Sequence, residues 1–180
     1  MPEKTHHTAV VVIPPQECWE PIQAIRRQHD RQVRRWMPHI TMLYPFRPAT
    51  AFDAVAEPLR QACARVAPFE ITLRRFERFS HGRGRHTLWL APEPAEAVSR
   101  LQLSLQAAVP DCDDVSRYPG GFSHHLSVGQ ASGDDAVAEL QAELQSGWQP
   151  LTFVVNRISL IRRSPPPEDV FRVDRCIDLG

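Results

Sequence analysis

Two short stretches of the 180-residue chain carry side chains able to move protons: His39-Ile40-Thr41-Met42 and, 86 positions later (125 − 39), His125-Leu126-Ser127-Val128. Each is written histidine, aliphatic, hydroxyl, aliphatic. On a β-strand, where successive side chains alternate, that pattern puts imidazole and hydroxyl on one face and the aliphatics on the other. Imidazole titrates near neutrality, so of two facing a common cleft one can take a proton while the other gives one. Two hydroxyls beside them suit the non-bridging oxygens of a phosphate as charge redistributes in the transition state. The pattern points to phosphodiester chemistry, with His39 and His125 as acid-base groups and Thr41 and Ser127 as phosphate ligands. Such a site requires neither metal nor cofactor.

Other chemistries lack partners in the same letters. A zinc site needs three or four converging ligands. His124 and His125 would point to opposite faces of a strand, and no clustered cysteine or acid accompanies either motif. Ser127 lacks the tight glycine elbow of a serine nucleophile, and no P-loop or dinucleotide glycine fingerprint occurs.

The scaffold must bring the two stretches together. Ala9 to Ile13 is a β-branched run closed by Pro14-Pro15, the pattern of a buried strand. A helix is expected over 17–33, and Pro38 biases the chain into an extended first motif. There His39, Thr41 and Leu43 should share one face and Ile40, Met42 and Tyr44 the other. Helices over 52–66, 92–109 and 134–144 alternate with strands over 69–79 and 86–91, and with the second motif, where His125, Ser127 and Gly129 should share a face. A long strand over 151–163 and a last one over 171–179 follow. The element order contains two similar halves with one motif each, without extended sequence repetition.

Composition bounds the function. Lys+Arg and Asp+Glu both number 21, so the net charge is zero, which argues against a duplex-DNA binder held by a broadly basic surface. The four cysteines, Cys18, Cys63, Cys112 and Cys176, are widely spaced and read as reduced thiols of a cytoplasmic protein, with no signal-like start. No apolar run approaches the ~20 residues of a membrane helix. The arginine cluster Arg26, Arg27, Arg31, Arg34, Arg35 has two readings, a solvated helix face or an electropositive entrance for a phosphorylated substrate. The basic turn Ser80-His81-Gly82-Arg83-Gly84-Arg85 reads as a solvated hairpin tip.

The paired motifs resemble those of the 2H phosphoesterase superfamily, and Met37-Pro38-His39-Ile40-Thr41-Met42-Leu43-Tyr44-Pro45-Phe46 looks like its 2′-5′ RNA ligase-like branch. The resemblance implies a single bilobal α+β domain over 1–180. It would have two antiparallel sheets facing a central cleft, helices outside, and one motif from each of two pseudo-twofold lobes. It implies action on 2′,3′-cyclic phosphate ends of RNA or nucleotides, leaving a 2′-phosphate, with His39 and His125 as acid and base and Thr41 and Ser127 as phosphate anchors. Ligation or cleavage at a 2′-5′ linkage is the enzymatic alternative, and a non-turning-over RNA-end or nucleotide module the alternative of another class. The expected partners are RNA ends or small cyclic nucleotides, and the expected state a monomer. Relatives often carry an arginine shortly after the second motif, where this chain has Gln130, so Arg162 or Arg163 should substitute, one of the two facing the cleft. Tyr44 and Phe46 are candidates to stack on a base, with core packing the favoured alternative for each, and Arg34 and Arg35 are candidates to meet phosphate.

Overall fold

The computed structural model describes residues 3–180. Its strands and α-helices are β1 (Thr8–Val12), α1 (Trp19–His29), β2 (Ile40–Leu43), α2 (Phe52–Cys63), β3 (Phe69–Ser80), β4 (Arg85–Glu93), α3 (Ala95–Ala108), β5 (Leu126–Ser132), α4 (Asp134–Gly147), β6 (Leu151–Val155), β7 (Arg157–Arg163) and β8 (Phe171–Asp178). They form an α+β fold with two antiparallel sheets, ordered β2-β1-β7-β8 and β5-β4-β3-β6. The motif strands β2 and β5 hold the same outermost slot in each sheet and approach one another. This is the approximate twofold relation expected from the paired motifs.

The sheets do not divide the chain into consecutive halves. The expected single strand over 151–163 is two strands: Val155 pairs with Phe69 in the second sheet, while Arg162 pairs with Thr8 in the first. The chain crosses between sheets at Asn156, whose carbonyl accepts from the amide of Leu179. β6 buries alternate residues and β7 buries the run from Ile158 to Ile161, so apolar residues continue on both sides of Asn156 and the break is invisible in the pattern.

Helices are exchanged between the sheets. α1, which follows β1, packs against β5, and α3, which follows β4, packs against β2. One core results, with Val10, Ile40, Met42, Leu88, Leu90, Leu126 and Val128 fully or almost fully buried within a common apolar cluster. Gly129 shows how close α1 lies: a Cβ there would sit 2.6 Å from the His29 Cβ and 2.9 Å from the His29 carbonyl oxygen. Only glycine admits the helix at that distance.

α1 ends at His29, four residues before the expected boundary. Asp30 is extended, accepts the Gln32 amide on its carboxylate at 2.9 Å, and pairs with Arg26 at 2.8 Å. That local capture of the carboxylate competes with continued helix. Pro21 sits in the first turn of α1, where its missing amide costs nothing. The cysteines carry free thiols, and among the described residues no helix is long and apolar enough to cross a membrane.

Candidate functional site

Both motif histidines lie one residue before their strands, not on them. β2 pairing starts at Ile40 opposite Val12, beyond which the partner strand gives way to Pro14-Pro15; β5 pairing starts at Leu126 opposite Leu90. In each case the imidazole turns back on its own approach. His39 Nδ1 lies 2.7 Å from the Met37 carbonyl, and His125 Nδ1 lies 2.7 Å from the Ser123 carbonyl. A carbonyl only accepts, so both Nδ1 atoms carry the proton and both Nε2 atoms are left as basic nitrogens, with no hydrogen bond among the described residues. Thr41 and Ser127, each two residues on, are partly exposed on the same face as Val11 and Trp89, their cross-strand partners.

Each imidazole is enclosed by aromatic rings. Trp36 stacks on His39 at 4.6 Å between centroids and also meets Phe171 and, edge-on, Tyr44. Across the cleft, His125 lies edge-on to Phe79 at 5.0 Å and to Trp89 at 5.9 Å, and those two rings stack on one another. The apolar walls disfavour charge on either ring. Burial, above all, pushes His39 down to about 4; Arg26 and a charge on His125 push the same way, while the Met37 carbonyl and Asp30 oppose. Burial likewise lowers His125, against the pull of the Ser123 carbonyl. The two imidazoles therefore lie within electrostatic reach of each other, and both are neutral at pH 7 in the free protein.

A buried polar chain supports both sides at once. The Arg26 guanidinium, almost fully buried with its partner Asp30, also donates to the Trp36 carbonyl at 3.0 Å. It thus fixes the ring that stacks on His39. Asp30 accepts in turn from the Gln130 carboxamide at 3.0 Å, and Gln130 accepts from the Arg31 amide at 3.0 Å. The residue standing where relatives place an arginine is here a tie between the end of α1 and β5.

A β-bulge opposite Leu88 and Trp89 changes which residues of β5 face the cleft. Ser127 pairs with Trp89, but Gly129 pairs with Leu88 and Gln130 with Thr87. The expected sharing of a face by Ser127 and Gly129 fails: the extra residue turns Gly129 onto α1 and brings Gln130 to the cleft side. His124 precedes the strand, so alternation does not govern it. It lines the same cavity as Phe79 and Trp89, the two rings that meet His125, contrary to the expectation that it would face away from His125.

The remaining candidates separate. Phe46 is fully buried against Phe52 in the core and is out of reach of any substrate. Tyr44 lies at the rim of the Trp36 cluster, not on the opposite face from His39, because the strand ends at Leu43; its hydroxyl donates to the His6 carbonyl at 3.3 Å. Arg163 lies beside it over the Phe171 ring, and Asp169 binds both Arg163 and Arg35. Burial works against charge on Asp169, yet these two guanidinium groups hold its carboxyl below the usual range. Arg162 is directed to the other side, exposed and paired with Asp174 at 2.7 Å. Arg34 is exposed and donates to the Glu168 carbonyl at 3.2 Å. The arginine cluster is therefore neither one solvated face nor one entrance, since each member takes its own partner once the helix stops at His29. Phe79 and Phe171 escaped the motif reading because their strands lie far from the histidines in sequence, and Trp36, only three residues before His39, escaped it because it stands outside the strand whose alternation was read. Phe79 and Trp89 were accessible in principle through the alternation of the β3–β4 hairpin. Among the described residues no group of three or more His, Cys, Asp or Glu side chains is placed to hold a metal ion.

A family model described as the 2′-5′ RNA ligase superfamily matches residues 14–166. Similar solved structures include TT0787 of Thermus thermophilus, at 21% identity over 96% of this chain and 97% of that one, with a TM-score of 0.64. Escherichia coli LigT complexed with 3′-AMP is similar at 15% identity over 98% and 99%, TM-score 0.58. The apo form of LigT gives 17% identity over 97% of each chain and a TM-score of 0.62. At these identities the likeness is one of fold. No curated protein sequence matches the chain.

Proposed function

From the premise that the chain belongs to the 2′-5′ RNA ligase superfamily, a family of phosphoesterases and ligases, we propose that it is a metal-independent phosphodiesterase opening 2′,3′-cyclic phosphate ends of RNA or nucleotides. The observation that carries this reading is the matched tautomer. Two imidazoles with Nδ1–H held by the carbonyl two residues back present two free Nε2 atoms, each with a hydroxyl two residues on. One Nε2 takes a proton from water as its oxygen attacks phosphorus. The other, protonated once the phosphate's negative charge is bound beside it, gives its proton to the departing 3′ oxygen. The P–O3′ bond breaks, a 2′-phosphate and a 3′-hydroxyl remain, and the second Nε2 ends neutral while the first ends protonated. Thr41 and Ser127 donate to the non-bridging oxygens throughout. The aromatic walls keep the bases neutral between turnovers and exclude bulk water.

With a 5′-hydroxyl in place of water as the nucleophile, the same groups would open a 2′,3′-cyclic end and join it through a 2′-5′ bond, the second reading, to which the family's name points. Hydrolysis of 2′,3′-cyclic nucleotides and short cyclic-phosphate RNAs, with EDTA present, tests the proposal. His39→Ala and His125→Ala should each lower kcat by roughly 10² to 10⁴. Activity abolished by EDTA, or retained in both variants, refutes the mechanism; binding without turnover on every substrate assigns the chain to the binding class.

A further inference from the structure

The cleft does not stop at Ser127. β4 and β5 continue past the Trp89–Ser127 pair to Thr87–Gln130 and then Arg85–Ser132, all on one sheet face by the observed register. Here they floor a groove of about 670 Å³, whose walls include Arg31, His81 and Arg85 and contain no carboxylate. Arg31 leans on Gln130, its Nε 3.4 Å from the carboxamide oxygen, and His81 shares a 2.8 Å hydrogen bond with Thr87. Most of the chain's other arginines bind a carboxylate, but among the described residues neither Arg31 nor Arg85 takes part in an ion pair. Asp30 is engaged by Arg26 and Gln130, and Asp134 by His86, which also lines the groove.

The groove is also built rather than frayed. The hairpin tip turns through three left-handed residues, Gly82, Arg83 and Gly84, and the Gly84 carbonyl accepts from the Gly133 amide at 2.7 Å, which ties the tip to the start of α4. Gly133 would meet any side chain added at Gly84 within 3.6 Å, so the two loops lie against one another. The basic turn is therefore held in place as the end wall of the groove.

Distance decides what such a groove would take. Strand residues two apart are separated by roughly 7 Å, so Thr87 and Arg85 stand roughly 7 and 14 Å beyond Trp89 along β4. That is the reach of one to two nucleotides from a phosphate held at Ser127. We infer that the Arg31–Arg85 groove is a second phosphate subsite. It takes a backbone phosphate one or two nucleotides upstream of the reacting end, making the substrate class single-stranded RNA ends rather than free mononucleotides. The inference rests on the phosphodiesterase reading for the identity of the reacting end, while the groove's affinity for RNA can be read without turnover.

The test compares a tetranucleotide ending in a 2′,3′-cyclic phosphate with the cyclic mononucleotide, using the full chain and kcat/KM. In parallel, binding of the labelled tetranucleotide ending in a 2′-phosphate, which is not turned over, is followed against salt. The parent should favour the tetranucleotide by tenfold or more. In Arg31→Gln/Arg85→Gln that ratio should fall at least fivefold, and the slope of log Kd against log salt should shrink by ~0.7 for each phosphate the variant no longer neutralises. Arg65→Gln/Arg172→Gln, which removes two exposed arginines elsewhere, controls for net charge and should change neither. A parent ratio near one, or a ratio and salt slope unchanged in the double variant, overturns the subsite. If neither substrate turns over, the phosphodiesterase reading fails instead, and the salt slope alone decides the groove.

Discussion

The depressed imidazole of His39 makes the stability of the protein depend on pH in a direction fixed by sign. Burial lowers it from 6.5 to about 4, so between these values the folded chain holds a neutral ring where the unfolded chain holds a charged one. The unfolded state then binds more protons, and stability falls as pH falls. The contribution is complete above pH 6.5 and is lost progressively down to about 4, amounting to about 3 kcal/mol at most, since one pKa unit corresponds to about 1.4 kcal/mol. His125 is lowered as well and adds in the same direction. Two measurements check this. The His39 ring should titrate by NMR near 4 in the free protein and move up when inorganic phosphate binds, and the urea unfolding free energy should drop between pH 7 and 4.5. His39→Gln should flatten part of that drop. A His39 resonance titrating at 6.5, or a stability profile identical in parent and variant, would refute the desolvated imidazole.

Two substitutions probe the scaffold behind the rings. Gly129→Ala places a Cβ against the His29 backbone and should cost roughly 1 to 3 kcal/mol by overpacking, read as a lower urea midpoint at unchanged m value. A midpoint equal to the parent's would show that α1 yields at that contact. Arg26→Met leaves the Asp30 carboxylate buried without its partner and should cost roughly 3 to 5 kcal/mol, whereas Arg26→Met/Asp30→Leu should recover much of that stability without recovering the Trp36 position. Denaturation of the single and double variants separates these outcomes, and equal loss in both would show that packing, not charge, dominates.

The period-two letters of the motifs, their hydroxyls and the order of elements were legible because they are local. Ile40, Met42, Leu126 and Val128 lie in the core, as the letters predict, while the histidines stand just before their strands. What escaped is what another part of the chain decides. Asp30 ends α1 by taking Arg26 and the Gln32 amide, an event that helical periodicity does not register, and it disperses the arginines that looked like one cluster. The bulge in β5 depends on pairing with β4, so one extra residue exchanged Gly129 for Gln130 at the cleft. Of the two readings open for Phe46, stacking on a base or packing in the core, the structure shows the core. The crossing at Asn156 left the apolar pattern intact and changed only the partner strands.

The exchanged helices explain why two motifs on different sheets can act as one site. Proton transfer between a phosphate and two imidazoles tolerates little misplacement, and a hinge between two independent lobes would supply it freely. Here the helix leaving β1 packs on β5 and the helix leaving β4 packs on β2, so neither sheet can shift without disturbing the helix that the other provides. The Arg26–Asp30 pair adds a polar form of the same coupling, reaching Trp36 over His39 through one partner and Gln130 beside Ser127 through the other. An arginine in place of Gln130 could meet phosphate directly but would have no carboxamide oxygen for the Arg31 amide and would bring a second guanidinium to Asp30. This chain therefore uses that position to join its two sides, and positive charge reaches the cleft from its rims, at Arg163 with Arg35 and at Arg31 with Arg85. On the proposed reading, specificity for the rest of a substrate is thereby separated from the reacting phosphate held between the two histidine motifs.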